Sequence, residues 1–347
     1  MNTQLSGRTA YFDYLRSFAS LCIMIVHVAA YKWYYTDVHT ISWSVLNIYK
    51  GINRPPVLLF IMISGALFLG RDIPVKTLYK KYVLRMCTAF IVWDVIYALV
   101  TSWNLGISGI LFKLVNSNYH LWFLLALIGL YICIPLLRLI ARDVRILKYF
   151  LNLSFLFAFL IPQMLQIASA FGGDTVSKYA GIIGGHIYNI RLDVILGYPF
   201  YFLAGYYLHN FEALEDVLVS EPSKVKISRR LLYVLGICGI ISGILINNLY
   251  ALKTGMPQDL FHNCFTLHEM FEALAIFVFF KHNIKKDPRT GNIVYKISAC
   301  GFGAYLIHDL VILGIDHFLG LNAMTFDPVI AVPVIGIMTF ILNLFFY

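Results

Sequence analysis

Apolar runs follow one another along the whole chain with only short polar joints between them. Ten are recognisable, at about 10–31, 52–70, 82–103, 120–140, 149–168, 194–209, 231–250, 267–281, 295–315 and 328–347. A helix of ~20 apolar residues at ~1.5 Å rise per residue crosses a ~30 Å hydrocarbon core. Each run therefore predicts a membrane-spanning helix, the sixth and eighth being short for a straight crossing. The joints leave no room for a separate soluble domain. The expectation is an all-α integral membrane protein of about ten transmembrane helices, folded as one domain over residues 1–347.

Composition sharpens this picture. Of 347 residues 60% are hydrophobic and 13% charged, about half the charged share of a soluble domain. The 27 lysines and arginines alternate with the runs: Arg8 and the stretches 71–85, 138–148, 224–230 and 281–296 hold nineteen of them. Lys32, Lys50, Arg54, Lys113, Lys178, Arg191 and Lys253 fall on the other side, and Arg16 lies inside the first run. The basic excess marks the cytoplasmic side, so both termini are expected in the cytoplasm. The same pattern accounts for the net charge of +9 without a nucleic-acid partner. No small-residue cleavage site follows the first run, which is expected to be retained rather than removed as a signal peptide. The six cysteines lie mostly inside apolar runs and show no metal-ligand spacing, which suits them to side-chain contacts rather than to a metal or a disulfide framework.

The first run carries the densest chemistry. Its sequence from Asp13 to His27 contains Asp13, Arg16, Ser20 and His27 among apolar residues. Arg16 and His27 are eleven positions apart, about three helical turns, so they share a face and are separated by about 16 Å. One wall of this helix thus runs from a guanidinium near the cytoplasmic end to an imidazole at depth. Ionisable groups there are costly and mark a pathway or site, although a lone histidine can equally bond a neighbouring helix.

Other polar positions stand out against the apolar pattern. The aromatic joint after His27, with Trp33, Tyr34, Tyr35 and Trp43, suits either sugar stacking or an interfacial belt. Ser64-Gly65 in the second run permits close approach of another helix or a ligand. Lys81 and Arg85, four apart at the start of the third run, share a helical face and suit a phosphate-bearing ligand or an ordinary topology anchor. No glycine-rich phosphate loop accompanies them. His120 and Trp122 open the fourth run; Glu269 and Glu272 open the eighth, one turn apart; Tyr305, His308 and Asp309 lie within the ninth. The Gly-rich segment 169–193 reads as an outer loop long enough to form part of a substrate mouth.

Taken in order, Arg16-x10-His27, F-I-M-I-S-G in the second run, the basic pair leading the third, Y-H-L-W-F-L in the fourth and G-A-Y-L-I-H in the ninth resemble membrane acyltransferase family 3. The likeness spans nearly the whole chain and is nearest to the branch containing the enterobacterial common antigen O-acetyltransferase. It implies a bacterial inner-membrane enzyme that takes an acetyl group from cytoplasmic acetyl-CoA and places it on a hydroxyl of an extracytoplasmic glycan. Arg16 and His27 then match the family's functional pair, and Lys81 and Arg85 its basic pair. Lysine at 81 keeps the charge but not the bidentate fork of the arginine common there.

Acetyl transfer needs a base for the hydroxyl proton and a partner for the tetrahedral oxyanion. His27 suits the base or, alternatively, a covalent acyl carrier. His308 and Tyr305 would orient it or donate to the oxyanion. Arg16, Lys81 and Arg85 would hold the donor, and His120, Trp122, Glu269, Glu272 and Tyr305 the acceptor; no metal is called for. The competing reading is a transporter or flippase, in which the same buried groups form a proton and substrate pathway. No inverted repeat is visible in the runs.

Overall fold

The computed structural model describes residues 9–211, 222–284 and 288–345. All regular secondary structure among them is helical. Arg8, Lys285, Lys286 and Tyr347, which enter the sequence reading, lie outside the described residues. The helices are α1 (Ala10–Trp33), α2 (Ile41–Ile52), α3 (Pro56–Phe68), α4 (Leu84–Ser102), α5 (Gly106–Asn116), α6 (Trp122–Arg142) and α7 (Val144–Ser154). They continue with α8 (Ile161–Phe171), α9 (Asp174–Asn189), α10 (Asp193–Asn210), α11 (Pro222–Thr254), α12 (Leu267–Asn283), α13 (Pro288–Leu319) and α14 (Pro328–Phe345). Leu78–Val83 and Phe155–Leu160 are π-helical and lead directly into α4 and α8.

A helix stands at each of the ten predicted positions. Among the described residues, seven helical stretches are long and apolar enough to cross a membrane, and the stretch Val75–Arg142 contains both α4 and α6. The chain is a polytopic membrane protein. Neither α10 nor α12, the two expected to be short, is among the seven. In α12, only 17 residues long, His268, Glu269 and Glu272 replace apolar residues in the first turns. Two helices depart from the sequence reading. The joint before the second run holds α2, capped by Thr40, whose hydroxyl accepts from the Trp43 amide at 3.2 Å. The Gly-rich segment read as a loop holds α9, because Gly181, Gly184 and Gly185 fall where an added Cβ would meet open space, so nothing but intrinsic propensity opposes the helix.

The chain divides into two compact units. One comprises Met1–Phe60, Asn152–Gly197 and Leu208–Tyr347, the other Ile61–Leu151 and Tyr198–Tyr207. In the first, α1 is the central element, with α2, α12, α13 and α14 against it. Burial of apolar surface gains little within a bilayer, so helix association rests on close contact and polar bonds. Small residues supply the contact. A Cβ on Gly301 of α13 would lie 2.9 Å from Ser20 Oγ of α1, and one on Gly336 of α14 would lie 2.8 Å from Ile25. Gly236, Gly239 and Gly243 let α11 close onto Ala275 and His268 of α12. At the C-terminal end of α1, Trp33 stacks on Trp43 with centroids 5.6 Å apart. Both are fully buried, which removes them as sugar platforms.

The second unit is held by a backbone crossing. A Cβ on Gly65 would come within 1.8 Å of the Phe202 carbonyl oxygen, and one on Gly205 within 2.0 Å of that of Met62. The close approach expected at Ser64-Gly65 is therefore to α10. The sharp joints flanking α5 use left-handed backbone, at Gly106 (φ +69°) and Ser117 (φ +58°).

Candidate active site

His27 and His308 meet across the α1–α13 contact. His308 Nε2 lies 3.2 Å from His27 Nδ1, and the ring centroids are 4.6 Å apart. Each ring is also tied to its own helix, His27 Nδ1 to the Ile23 carbonyl at 2.9 Å and His308 Nδ1 to the Tyr305 carbonyl at 2.5 Å. A carbonyl only accepts, so both Nδ1 atoms carry the proton in the neutral rings. His308 Nε2 then accepts from His27 Nδ1–H, which is shared with Ile23. The lone pair of His27 is left on Nε2, the arrangement a general base requires. Tyr305 contributes through its carbonyl, not its phenol.

Along the same wall of α1, Ser20 is buried, and its hydroxyl has no hydrogen-bond partner among the described residues. Below it, Arg16 Nη1 stands 3.5 Å from Asp13 Oδ1. That carboxylate is buried and accepts from Ser298 Oγ at 2.8 Å. Arg16 is thus aimed by an anchored carboxylate and keeps a quarter of its side chain exposed. Beyond His27, the Tyr31 hydroxyl donates to Asp309 at 2.5 Å, and the Asp309 carboxylate interacts electrostatically with His27.

A second group of polar residues, of which the sequence reading singled out only Lys50 and Arg54 as outer charges and Tyr34 among the aromatics, gathers at the C-terminal end of α1. Lys50 is 1% exposed; its ammonium lies 3.3 Å from the centroid of the Trp33 ring and 2.5 Å from Asp259 Oδ1. Tyr34 donates to the other Asp259 oxygen, and Arg54 donates to the His262 carbonyl. Asn47 Oδ1 accepts from Asn247 at 2.9 Å, His262 Nε2 at 3.0 Å and Trp33 Nε1 at 3.3 Å. Arg54 acts electrostatically on both His27 and Glu269. Burial pushes the Asp259 carboxyl up, but Lys50, Tyr34 and Arg54 outweigh it and hold it below the ordinary carboxylate value. Burial, with Lys50 and Arg54 nearby, drives the His262 imidazole well below its ordinary value.

Glu269 and Glu272 are 1% and 3% exposed, and Glu269 Oε2 and Glu272 Oε1 have no hydrogen-bond partner among the described residues. Glu272 interacts electrostatically with Cys22, which lies between Arg16 and His27 on α1. Unpartnered buried acceptors of this kind call for a ligand or water. Among the described residues no cluster of three or more His, Cys, Asp or Glu is placed to hold a metal ion.

The remaining candidates belong to the second unit. Lys81 lies in the π-helical turn Leu78–Val83 and Arg85 in the first turn of α4. With Lys80, Leu84, Thr88, Ala89, Val92 and Trp93, successive turns of the same helical stretch, they line an open groove of about 480 Å³. His120 is buried edge-on against Tyr97, centroids 4.8 Å apart. Trp122 stacks on Tyr198 at 5.8 Å.

The family model described as acyltransferase domain matches residues 9–347 of the chain. No curated protein and no solved structure matches it.

Proposed function

The chain belongs to acyltransferase family 3, and from that premise we propose that it moves an acetyl group from cytoplasmic acetyl-CoA to a hydroxyl of an extracytoplasmic glycan. The host membrane is the inner membrane of a bacterium, with both chain termini in the cytoplasm, and the branch is that of the enterobacterial common antigen O-acetyltransferase. The observation that carries the reading is the histidine pair, with the tautomer of each ring set by a carbonyl of its own helix.

Arg16 supplies charge-assisted bonds to a donor phosphate, and Lys81 and Arg85 attract the phosphate-bearing donor by charge. The thioester extends along the wall of α1 toward His27. As the acceptor oxygen attacks the thioester carbonyl carbon, His27 Nε2 takes its proton. The resulting imidazolium keeps its bond to Ile23, and the Asp309 carboxylate favours its charge. Arg54 faces the negative charge that develops on the carbonyl oxygen. The carbon–sulfur bond then breaks, and the thiolate recovers the proton from His27. Glu269 and Glu272 accept from acceptor hydroxyls, which explains buried carboxyl oxygens without partners, and Trp122 and His120 contribute to the acceptor path. Inside a water-poor site the thioester is shielded from hydrolysis.

The test is transfer of label from acetyl-CoA by the purified full chain, with and without candidate glycans, corrected for acetyl-CoA breakdown without protein. Formation of acetylated glycan by the wild-type protein and its loss in His27→Ala supports the reading. Equal formation in both excludes His27 as base or carrier. Label trapped on His27 without acceptor would replace the base role by a covalent one.

A further inference from the structure

In the first unit, α8, α9 and the end of α11 line a cavity of about 400 Å³, within the size range of small-ligand sites. Its wall is mostly apolar, including Leu165, Ile187, Leu192 and Leu260, with Gln166 and Ser169 as polar members. The mechanism above makes no use of it. The helix on its outer side is loosely attached: α9 packs on α8 and Ala180 is its one buried residue. At 16 residues it is short for a crossing of the bilayer, so it lies against the other helices as a flap within reach of lipid.

Two features show that the cavity is kept open. Gly184 lines it, and a Cβ there would meet nothing within 4 Å. A larger side chain would fit and would raise helix propensity by up to ~1 kcal/mol, yet the position carries none. Two residues past the C-terminal end of α9, Arg191 adopts left-handed backbone at φ +57°, a conformation disfavoured for a residue with a side chain. This turn sets its guanidinium over the Tyr188 ring, 4.0 Å from the centroid, and Tyr188 is itself part of the cavity wall. A cation is thus held against a residue that lines a mostly apolar space.

We propose that this cavity is a binding site for one anionic glycerophospholipid, its acyl chain between α8 and α9 and its phosphate on Arg191. The chain replaces contacts that an empty apolar space would forfeit, and the guanidinium matches the phosphate in charge and geometry. Bound there, the lipid ties α9 to the rest of the unit.

Native mass spectrometry of the full-length protein in detergent, exposed to equal amounts of phosphatidylglycerol and phosphatidylcholine with the same acyl chains, tests this. One phosphatidylglycerol should survive activation that strips the other lipids, favoured over phosphatidylcholine by roughly tenfold, as one charge-assisted contact allows. Gly184→Trp should fill the cavity and abolish the retained lipid. Arg191→Gln should keep a retained lipid but bring the headgroup preference close to unity, and because Arg191 is exposed this variant remains informative if Gly184→Trp fails to fold. Equal retention of the two lipids by the wild-type protein, or an unchanged preference in Arg191→Gln, overturns the proposal. So does an unchanged retained lipid in a folded Gly184→Trp.

Discussion

Lys50 is 1% exposed, seated on Trp33 and bonded to Asp259, whereas Lys81 stands in the open with Lys80 and Arg85 on a groove. The same side chain is used in opposite ways. In the first region charges are wholly or partly withdrawn from water and their positions are set by named partners: Asp259 for Lys50, Asp13 for Arg16, two carbonyls for the imidazoles. In the second the cations keep most of their hydration and share a face. Desolvated, matched groups are strong and directional, and hydrated, clustered groups attract at range but give way to salt. The first region is therefore suited to holding reacting atoms in place, and the second to collecting a polyanion.

The contrast can be broken in four ways. The largest effect is expected from His27→Ala, which should lower single-turnover acetyl transfer by about 10²–10⁴-fold, the range of general base catalysis. Titration calorimetry should find acetyl-CoA affinity unchanged, and His308→Ala should lose less, because Ile23 still orients the base. A large loss of donor affinity in His27→Ala would mean that the buried region collects the donor as well.

Lys50→Met is next. It strands Asp259, and removing one partner of a fully buried pair costs about 3–5 kcal/mol. With Asp259 41% exposed on its side chain, roughly 2 kcal/mol is expected after solvent screening. Thermal unfolding should show this loss equally at low and high salt, and Asp259→Asn in the same chain should restore much of it. A loss that disappears in high salt would make Lys50 a surface charge in disguise.

Arg85→Ala and Lys81→Ala come third. Each should raise the KM for acetyl-CoA about five- to tenfold in low salt, with kcat little changed, and the effect should shrink toward 0.5 M salt as screening removes it. An effect on kcat alone would move these residues into the first class.

The smallest effect is one of pH. His262 is neutral in the folded protein, its pKa lowered by burial and by the Lys50 and Arg54 charges, while the unfolded chain takes up a proton below about pH 6.5. The unfolded state then binds more protons, so stability falls as pH drops below that value. Asp259, whose folded pKa is also lowered, keeps its contribution until the pH nears the ordinary carboxylate range. The stability, read by thermal unfolding, should decline below pH 6.5, the His262 share of the loss being under about 1 kcal/mol at pH 6. His262→Asn should remove the upper part of that slope.

Much of the fold was legible because a bilayer admits few solutions: a run of apolar residues has one structural meaning there. The eleven-residue spacing of Arg16 and His27 was legible for a similar reason, since helical geometry converts it directly into a shared face. The partner of His27 was a candidate only by depth, and its identification needed the contact of α13 with α1 at Gly301 and Ser20. The group around Lys50 was hidden by its own chemistry. Trp43, Leu46, Asn47 and Lys50 recur at helical spacing and are the buried face of α2, but a lysine and an asparagine in that stripe disguise it as a polar joint. Asp259 and His262 come from one short joint about 200 residues further along the chain than Lys50 and Arg54, and no local pattern relates the two pairs. In segment 169–193 the helix α9 was not legible, because Gly181, Gly184 and Gly185 lower helix propensity although a Cβ at each would meet open space. The tryptophans at 33 and 43 suited a sugar platform or an interfacial belt equally by pattern, and their stacking on each other in the interior fits neither.

The two imidazoles take their aim from the backbones of their own helices, through the Ile23 and Tyr305 carbonyls, and not from the side chains that surround a substrate. The direction of the base is thus a matter of angular phase between α1 and α13. A change in lining residues, such as those on α12, can alter which acceptor fits while leaving that phase untouched. Acceptor preference can therefore drift among related chains at little catalytic cost, whereas a substitution at Gly301, packed on Ser20 of α1, would turn one ring away from the other.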